Sequence, residues 1–130
     1  MDDSLAKATY TCMGPVTLAT VQAQVFNGCG GTNGGLTCHS GPQAAAGMDL
    51  SDGSAYDHLL HVRSASAPSR FLVEPNDPDN SFLWRKLVNE LSTTTSEGLP
   101  MPRDINDAWA PLTHDHLTTV RCWIASGAGR

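Results

Sequence analysis

Two cysteines and a histidine between residues 29 and 39 form the strongest chemical pattern in the chain. Cys29 and Cys38 are separated by eight residues, and His39 directly follows the second cysteine. Two thiols can bond to the vinyl groups of a porphyrin, and a histidine beside the second thiol can then reach the iron. The usual motif for this chemistry is Cys-x-x-Cys-His. The segment therefore predicts a covalently attached haem with His39 as an iron ligand.

The spacing between the cysteines is wider than in that motif. The insert over residues 30–37 contains four glycines and can bulge outward while Cys38 returns close to Cys29. Lengthening such a loop from two to eight residues costs only about 1 kcal/mol more in closure entropy. Attachment through Cys38 alone and a disulfide between Cys29 and Cys38 both remain alternatives. A zinc site is a poorer interpretation, because no second paired motif supplies the remaining ligands.

A second candidate ligand lies in the segment GLPMP at residues 98–102. A thioether binds iron weakly compared with imidazole, so its backbone must be held rigidly. Pro100 and Pro102 restrict the chain on both sides of Met101 and favour an extended conformation there. Together with His39, Met101 would form a His/Met ligand pair, which raises the reduction potential of a haem. Packing of the Met101 side chain into the core is the alternative.

Three helices are predicted around these segments. The first is expected over residues 18–27 with Thr17 as its cap, and a short one over residues 55–62. A third is expected to begin at Asp77 and Pro78, because proline suits the first helical position. Its apolar residues recur every four positions, at Leu83, Leu87 and Leu91.

The last helix has the strongest local signals. Thr113 can cap its first turn and Gly127 can end it. Its predicted buried stripe consists of Leu117, Val120 and Ile124. Residues 1–14 are expected to form an irregular arm in front of one domain over residues 15–130, and residues 92–112 a loop. Helices joined by long loops, with no convincing strand pair, predict the all-α class.

Size and charge argue against several classes of function. The chain of 130 residues has room for one domain. Its net charge is −5 and it has no run of Lys or Arg, so it lacks the basic surface that nucleic-acid binding requires. No stretch approaches the roughly 20 apolar residues that cross a bilayer. We therefore expect no nucleic-acid partner and no direct membrane span.

Several segments together resemble a known family. Besides the segment from Cys29 to His39, they are GMDLS (47–51), VEPNDPDNS (73–81), LPMP (99–102) and CWIASGA (122–128). Their order and spacing are similar to those of class I c-type cytochromes, and more narrowly of the planctomycete-type cytochrome c module, over about residues 16–128. Asn76 stands where that module usually has a glycine, and asparagine also accepts left-handed turn geometry.

The resemblance implies a class I cytochrome c-like fold, with about four helices and long loops wrapped around one haem c. It implies thioether bonds through Cys29 and Cys38, with His39 as proximal and Met101 as distal ligand. The protein would carry single electrons and would not be an enzyme. Its partners would be redox proteins that dock through small, transient interfaces. Haem attachment in bacteria further implies a periplasmic or other extracytoplasmic location, reached with a signal peptide that this sequence does not include.

The haem assignment leaves Cys12 and Cys122 to be explained. A bridge between them would close nearly the whole chain, and the entropy model gives such a cross-link about 4–5 kcal/mol. We expect this bridge, with two buried free cysteines as the alternative. The competing interpretation of the whole chain is a haem-free secreted binding module, stapled by this disulfide and a second one between Cys29 and Cys38.

The remaining histidines and the tryptophans are expected to have structural roles. The histidines predicted to lie at the surface or in satisfied polar contacts are His58, His61, His114 and His116. One of them in place of Met101 as the sixth iron ligand is the alternative. The tryptophans assigned to packing are Trp84, Trp109 and Trp123, with Phe26 expected against Trp123 where the first and last helices cross.

Overall fold

The structure is a computed structural model that describes residues 4–26, 48–51, 53–64, 69–91, 97–102 and 108–129. Its α-helices are α1 Ser4–Lys7, α2 Leu18–Gln24, α3 Ala55–Leu59, α4 Phe82–Val88 and α5 His114–Ala125. The described part of the chain is helical and has isolated β-bridges but no strand, which is compatible with the predicted all-α class. Within these ranges, no helix has both the length and the apolar character needed to cross a membrane.

The last helix, α5, is the centre of the core. The Thr113 side chain accepts a hydrogen bond from the amide of His116 at 3.2 Å, which confirms the predicted cap. The predicted stripe is fully buried, and so is its neighbour Trp123; the stripe residues are Leu117, Val120 and Ile124. Phe26, which follows α2, meets Trp123 edge to face with ring centroids 6.3 Å apart. The predicted packing of Phe26 against Trp123 is therefore confirmed.

Two predicted helices are shorter in the structure. Helix α2 ends at Gln24 and its predicted end at residue 27 lies outside the described residues. Helix α3 ends at Leu59, not at residue 62, because Leu60 takes an extended conformation and forms a bridge with Val73. The residues after α3 thus pair with the segment before α4, and this long-range pairing overrides the local helical pattern.

The predicted third helix is divided at Ser81. A 3₁₀ turn covers Pro78–Asn80, and α4 begins only at Phe82. Ser81 is fully buried. Its hydroxyl accepts from the amide of Glu74 at 2.8 Å and donates to the carbonyl of Asp77 at 3.0 Å. These contacts hold Ser81 in an extended conformation, so the helix predicted to begin at Pro78 cannot run on without a break.

The far end of α4 also differs from the prediction. Asn89 has a left-handed conformation with a φ of +60° and ends the helix after Val88. Asparagine tolerates this conformation, which is common where helices stop. Leu91, predicted as the last member of the apolar stripe, is therefore half-buried beyond the end of the helix.

The N-terminal arm is joined to the core by the predicted disulfide. The Sγ atoms of Cys12 and Cys122 are bonded at 2.05 Å, and Cys122 is buried in α5. The prediction of an irregular arm is wrong for Ser4–Lys7, which form a helical turn. The half-buried side chains of Leu5 and Ala6 pack against the core, and these tertiary contacts stabilise a turn that the local sequence does not encode.

Aromatic contacts of Tyr10 also attach the N-terminal arm to the core. The ring of Tyr10 meets Trp84 edge to face at 5.1 Å between centroids and lies parallel to His114 at 4.9 Å. The Tyr10 hydroxyl donates to the carbonyl of Leu5 at 2.5 Å. Burial raises the pKa of the Tyr10 phenol, and the positive charge of Arg121 acts in the opposite direction. The arm is thus attached to the core through Leu5, Ala6, Tyr10 and the disulfide at Cys12.

Candidate functional site

One of the four predicted ligand residues, Met101, lies in the part of the chain that the structure describes. Cys29, Cys38 and His39 lie outside the described residues. The thioether bonds and the proximal ligand therefore stay predictions. Met101 lies in a loop of residues 97–102, called the Met101 loop.

The backbone of Met101 is held on both sides. Its amide donates to the carbonyl of Lys86, in α4, at 2.9 Å. Its carbonyl accepts from the indole Nε1 of Trp109 at 3.0 Å. The residue is half-buried, and the bond from Met101 to Pro102 is cis. The rigidity that the flanking prolines predict is therefore supplemented by two hydrogen bonds from more distant parts of the chain.

Besides its backbone carbonyl, the side chain of Lys86 also binds the Met101 loop. Its Nζ donates to the carbonyl of Leu99 at 2.8 Å and lies 5.6 Å from the ring centroid of Phe82. Gly98 lies directly beside this ammonium group with a φ of +84°, and a Cβ there would be 2.6 Å from Nζ. A glycine at residue 98 thus permits both the left-handed turn and the close approach of the lysine.

The two ends of the Met101 loop are also attached. At its start, the buried carboxylate of Glu97 lies 3.6 Å from Nε of Arg70. At its end, the amide of Ala110 donates to the carbonyl of Pro102 at 2.9 Å. The segment after the loop therefore turns back and pairs with it. Attachment at both ends limits the number of backbone conformations that the loop can sample.

Met101 would suit the iron-ligand role that the sequence predicts for it. A thioether is a soft ligand suited to haem iron. The amide and the carbonyl of Met101 already have hydrogen-bond partners, so presenting the sulfur to a metal would leave no backbone group of this residue unpaired.

Two further segments of the family resemblance contain local turns. Asp49 accepts from both the amide and the hydroxyl of Ser51, at 3.0 and 2.6 Å. Its own amide donates to Nδ1 of His58 at 3.1 Å. Asn76 has a φ of +69°, which is the left-handed geometry that asparagine accepts.

Two of the four remaining histidines have satisfied polar contacts, as predicted. Nδ1 of His58 accepts from Asp49, and Nε2 of His114 lies 2.9 Å from the carbonyl of Thr9. His61 is exposed. Among the described residues, no three side chains of His, Cys, Asp or Glu are grouped so that they could hold a metal ion.

Sequence reasoning missed the two residues that hold the Met101 backbone. Lys86 was not singled out because it precedes Met101 by fifteen residues and lies in another element. Trp109 is assigned to packing, and the structure adds a specific hydrogen bond to that role. The one signal in the sequence is that the indole N–H of a tryptophan assigned to packing needs an acceptor. The sequence does not say which acceptor that is.

Comparison of the chain with family models, with curated proteins and with solved structures finds no match.

Proposed function

We propose that the protein is a monohaem c-type cytochrome that carries single electrons between redox partners. Haem c is bonded through Cys29 and Cys38, with His39 and Met101 as the axial ligands. The observation that carries the proposal is the doubly hydrogen-bonded backbone of Met101, with its amide on Lys86 and its carbonyl on Trp109. A methionine held in this way is suited to be a metal ligand.

The physical reason is the weakness of the thioether as a ligand. A methionine that became ordered only on binding iron would lose backbone and side-chain entropy in that step. This loss would make the free energy of the iron–sulfur bond less favourable. In the Met101 loop the backbone is already ordered by folding, so iron binding would cost little further backbone entropy. The bound haem supplies an iron that changes between two oxidation states, and a His/Met pair fills both of its axial positions. No site for a substrate then remains on the iron, so a carrier is favoured over an enzyme.

The proposed fold is of the class I cytochrome c type, with helices wrapped around the haem. In support, Phe26, two residues after α2, packs against Trp123 of α5, and Cys29 comes only three residues later in the sequence. The described chain before the proposed haem-attachment segment is thus anchored against the last helix through Phe26. The disulfide between Cys12 and Cys122 agrees with an oxidising, extracytoplasmic compartment.

Mass and colour test the proposal. The chain would be exported from cells that attach haem c, and the denatured protein is expected to exceed the mass of the chain by one haem. The reduced protein should show sharp visible absorption bands, and cleavage mapping would place the haem on Cys29 and Cys38. A colourless protein without iron, with a disulfide between Cys29 and Cys38, would instead identify the haem-free binding module.

Two methionine substitutions test whether Met101 is the sixth iron ligand. Met101→Ala should abolish the charge-transfer band that sulfur ligation gives to ferric haem, lower the reduction potential and let the reduced iron bind carbon monoxide. Met13→Ala is the matched control, because Met13 is 95% exposed and lies between Cys12 and Gly14, with no proline directly beside it. If Met101→Ala behaves like the control, the sixth ligand is another residue, and the histidines are then the candidates.

A further inference from the structure

The geometry points to Trp109 as the residue that positions Met101, through the hydrogen bond from its indole N–H. The inference rests on the proposed haem function and adds a named residue to it. Trp109 acts on the ligand through the backbone carbonyl of Met101, at 3.0 Å.

The hydrogen bond from Trp109 fixes the orientation of the peptide plane that follows Met101. The peptide bond that follows Met101 ends at the nitrogen of Pro102, which carries no hydrogen. The Met101 carbonyl is therefore the only polar group through which that peptide plane can be held. The peptide plane before Met101 is held through its amide, which donates to Lys86 at 2.9 Å. With both planes held, the Cα–Cβ bond of Met101 has a defined direction.

The location of Trp109 agrees with a positioning role. Its neighbour Ala110 donates to the carbonyl of Pro102 at 2.9 Å, so residues 109–110 pair with residues 101–102 through two hydrogen bonds. The indole is half-buried and its N–H has found an acceptor on the candidate ligand itself. A tryptophan that served for packing alone could be replaced by another large aromatic residue without effect on the ligand.

The test removes the N–H and keeps an aromatic ring. In the holoprotein, Trp109→Phe should weaken methionine ligation about fivefold, which is the contribution of one typical hydrogen bond. The measurement is the affinity of ferric haem for added imidazole, which displaces the methionine. An apparent imidazole affinity about fivefold tighter is expected, with a weaker sulfur-to-iron charge-transfer band and faster hydrogen exchange at the Met101 amide.

Trp123→Phe is the matched control. The indole Nε1 of Trp123 donates to the carbonyl of Gly129 at 2.8 Å, so this variant also loses one indole hydrogen bond to a backbone carbonyl. It should lower stability without changing imidazole affinity. If Trp109→Phe does not fold, benzothienylalanine at residue 109 keeps the shape of the ring system and replaces the N–H with sulfur.

The outcomes separate this inference from the function on which it rests. A wild-type protein that carries haem and shows methionine ligation, with imidazole affinity unchanged in the Trp109 variants, overturns the positioning role alone. A wild-type protein without covalent haem overturns the proposed function and the positioning role together. An effect of equal size in Trp123→Phe would show that general loss of stability is the cause, and would also overturn the inference.

Discussion

The amide of Asn76 donates a 2.8 Å hydrogen bond to the carbonyl of Ile124, which joins the turn before α4 to the end of α5. Asn76 makes this contact from a left-handed conformation, with a φ of +69°. Gly127 lies close by, since a Cβ on it would be 3.7 Å from Oδ1 of Asn76. The turn and the C-terminus of the last helix therefore depend on one backbone conformation.

This conformation predicts that glycine is tolerated at residue 76 and that a β-branched residue is destabilising there. Asn76→Gly should change the free energy of unfolding by no more than about 0.5 kcal/mol, because glycine adopts the same conformation without strain. Asn76→Val should cost about 1–3 kcal/mol, because a β-branched residue is strained there. Denaturant unfolding of both variants is the measurement. Equal stabilities would contradict the assigned left-handed turn.

Ser81 is predicted to contribute more to stability than an ordinary serine. Ser81 is fully buried, and Ser81→Ala would leave the amide of Glu74 without its partner, so a loss of about 1–3 kcal/mol is expected. Ser126→Ala is the control, because Ser126 is exposed and its hydroxyl makes a single bond to the carbonyl of Trp123. Chemical denaturation should show a clear loss for the first variant and almost none for the second.

The disulfide should account for a large share of the stability. In the entropy model, cross-linking residues separated by 110 positions is worth about 4–5 kcal/mol. The double variant with Cys12→Ser and Cys122→Ala should unfold at a correspondingly lower denaturant concentration. Alanine is chosen at residue 122 because that side chain is buried. Wild-type protein with the disulfide reduced should match the double variant, and an unchanged midpoint would contradict the prediction.

Two glycines with similar conformations separate backbone strain from a specific contact. Gly98 and Gly53 have φ values of +84° and +88°, but a Cβ would meet Lys86 only at residue 98. Alanine should therefore cost about 1–2 kcal/mol at either position. Gly98→Ala should lose about 0.5–1 kcal/mol more, because the lysine must withdraw from Leu99. Equal losses in thermal or denaturant unfolding would show that the lysine contact contributes nothing.

Two threonines at helix starts are also predicted to differ. Thr113 caps α5 through its side chain, whereas Thr17 stands at the start of α2 without a side-chain cap bond. Thr113→Ala should cost about 1 kcal/mol and Thr17→Ala close to nothing. Unfolding free energies of the two variants measure the difference. A similar loss at both positions would mean that the cap bond of Thr113 is not the cause.

The Met101 region shows how far sequence reasoning reaches for the candidate site. The ligand residue and its two prolines are adjacent in sequence, so local backbone restriction predicts a rigid loop. Lys86 and Trp109 are brought to Met101 only by folding, and no local pattern names them. The predictions for Cys29, Cys38 and His39 rest on the sequence and the resemblance, because these residues lie outside the described part of the chain.

The sequence by itself determined α5, including its cap at Thr113 and its buried face, because these signals are contained within a few helical turns. It also indicated the cross-link between Cys12 and Cys122. Only the tertiary structure decided the early end of α3 at Leu59, the helical turn of the arm and the partners of Met101. Each depends on a hydrogen bond or packing contact between different segments, and the free energy of such a contact exists only once the core has assembled.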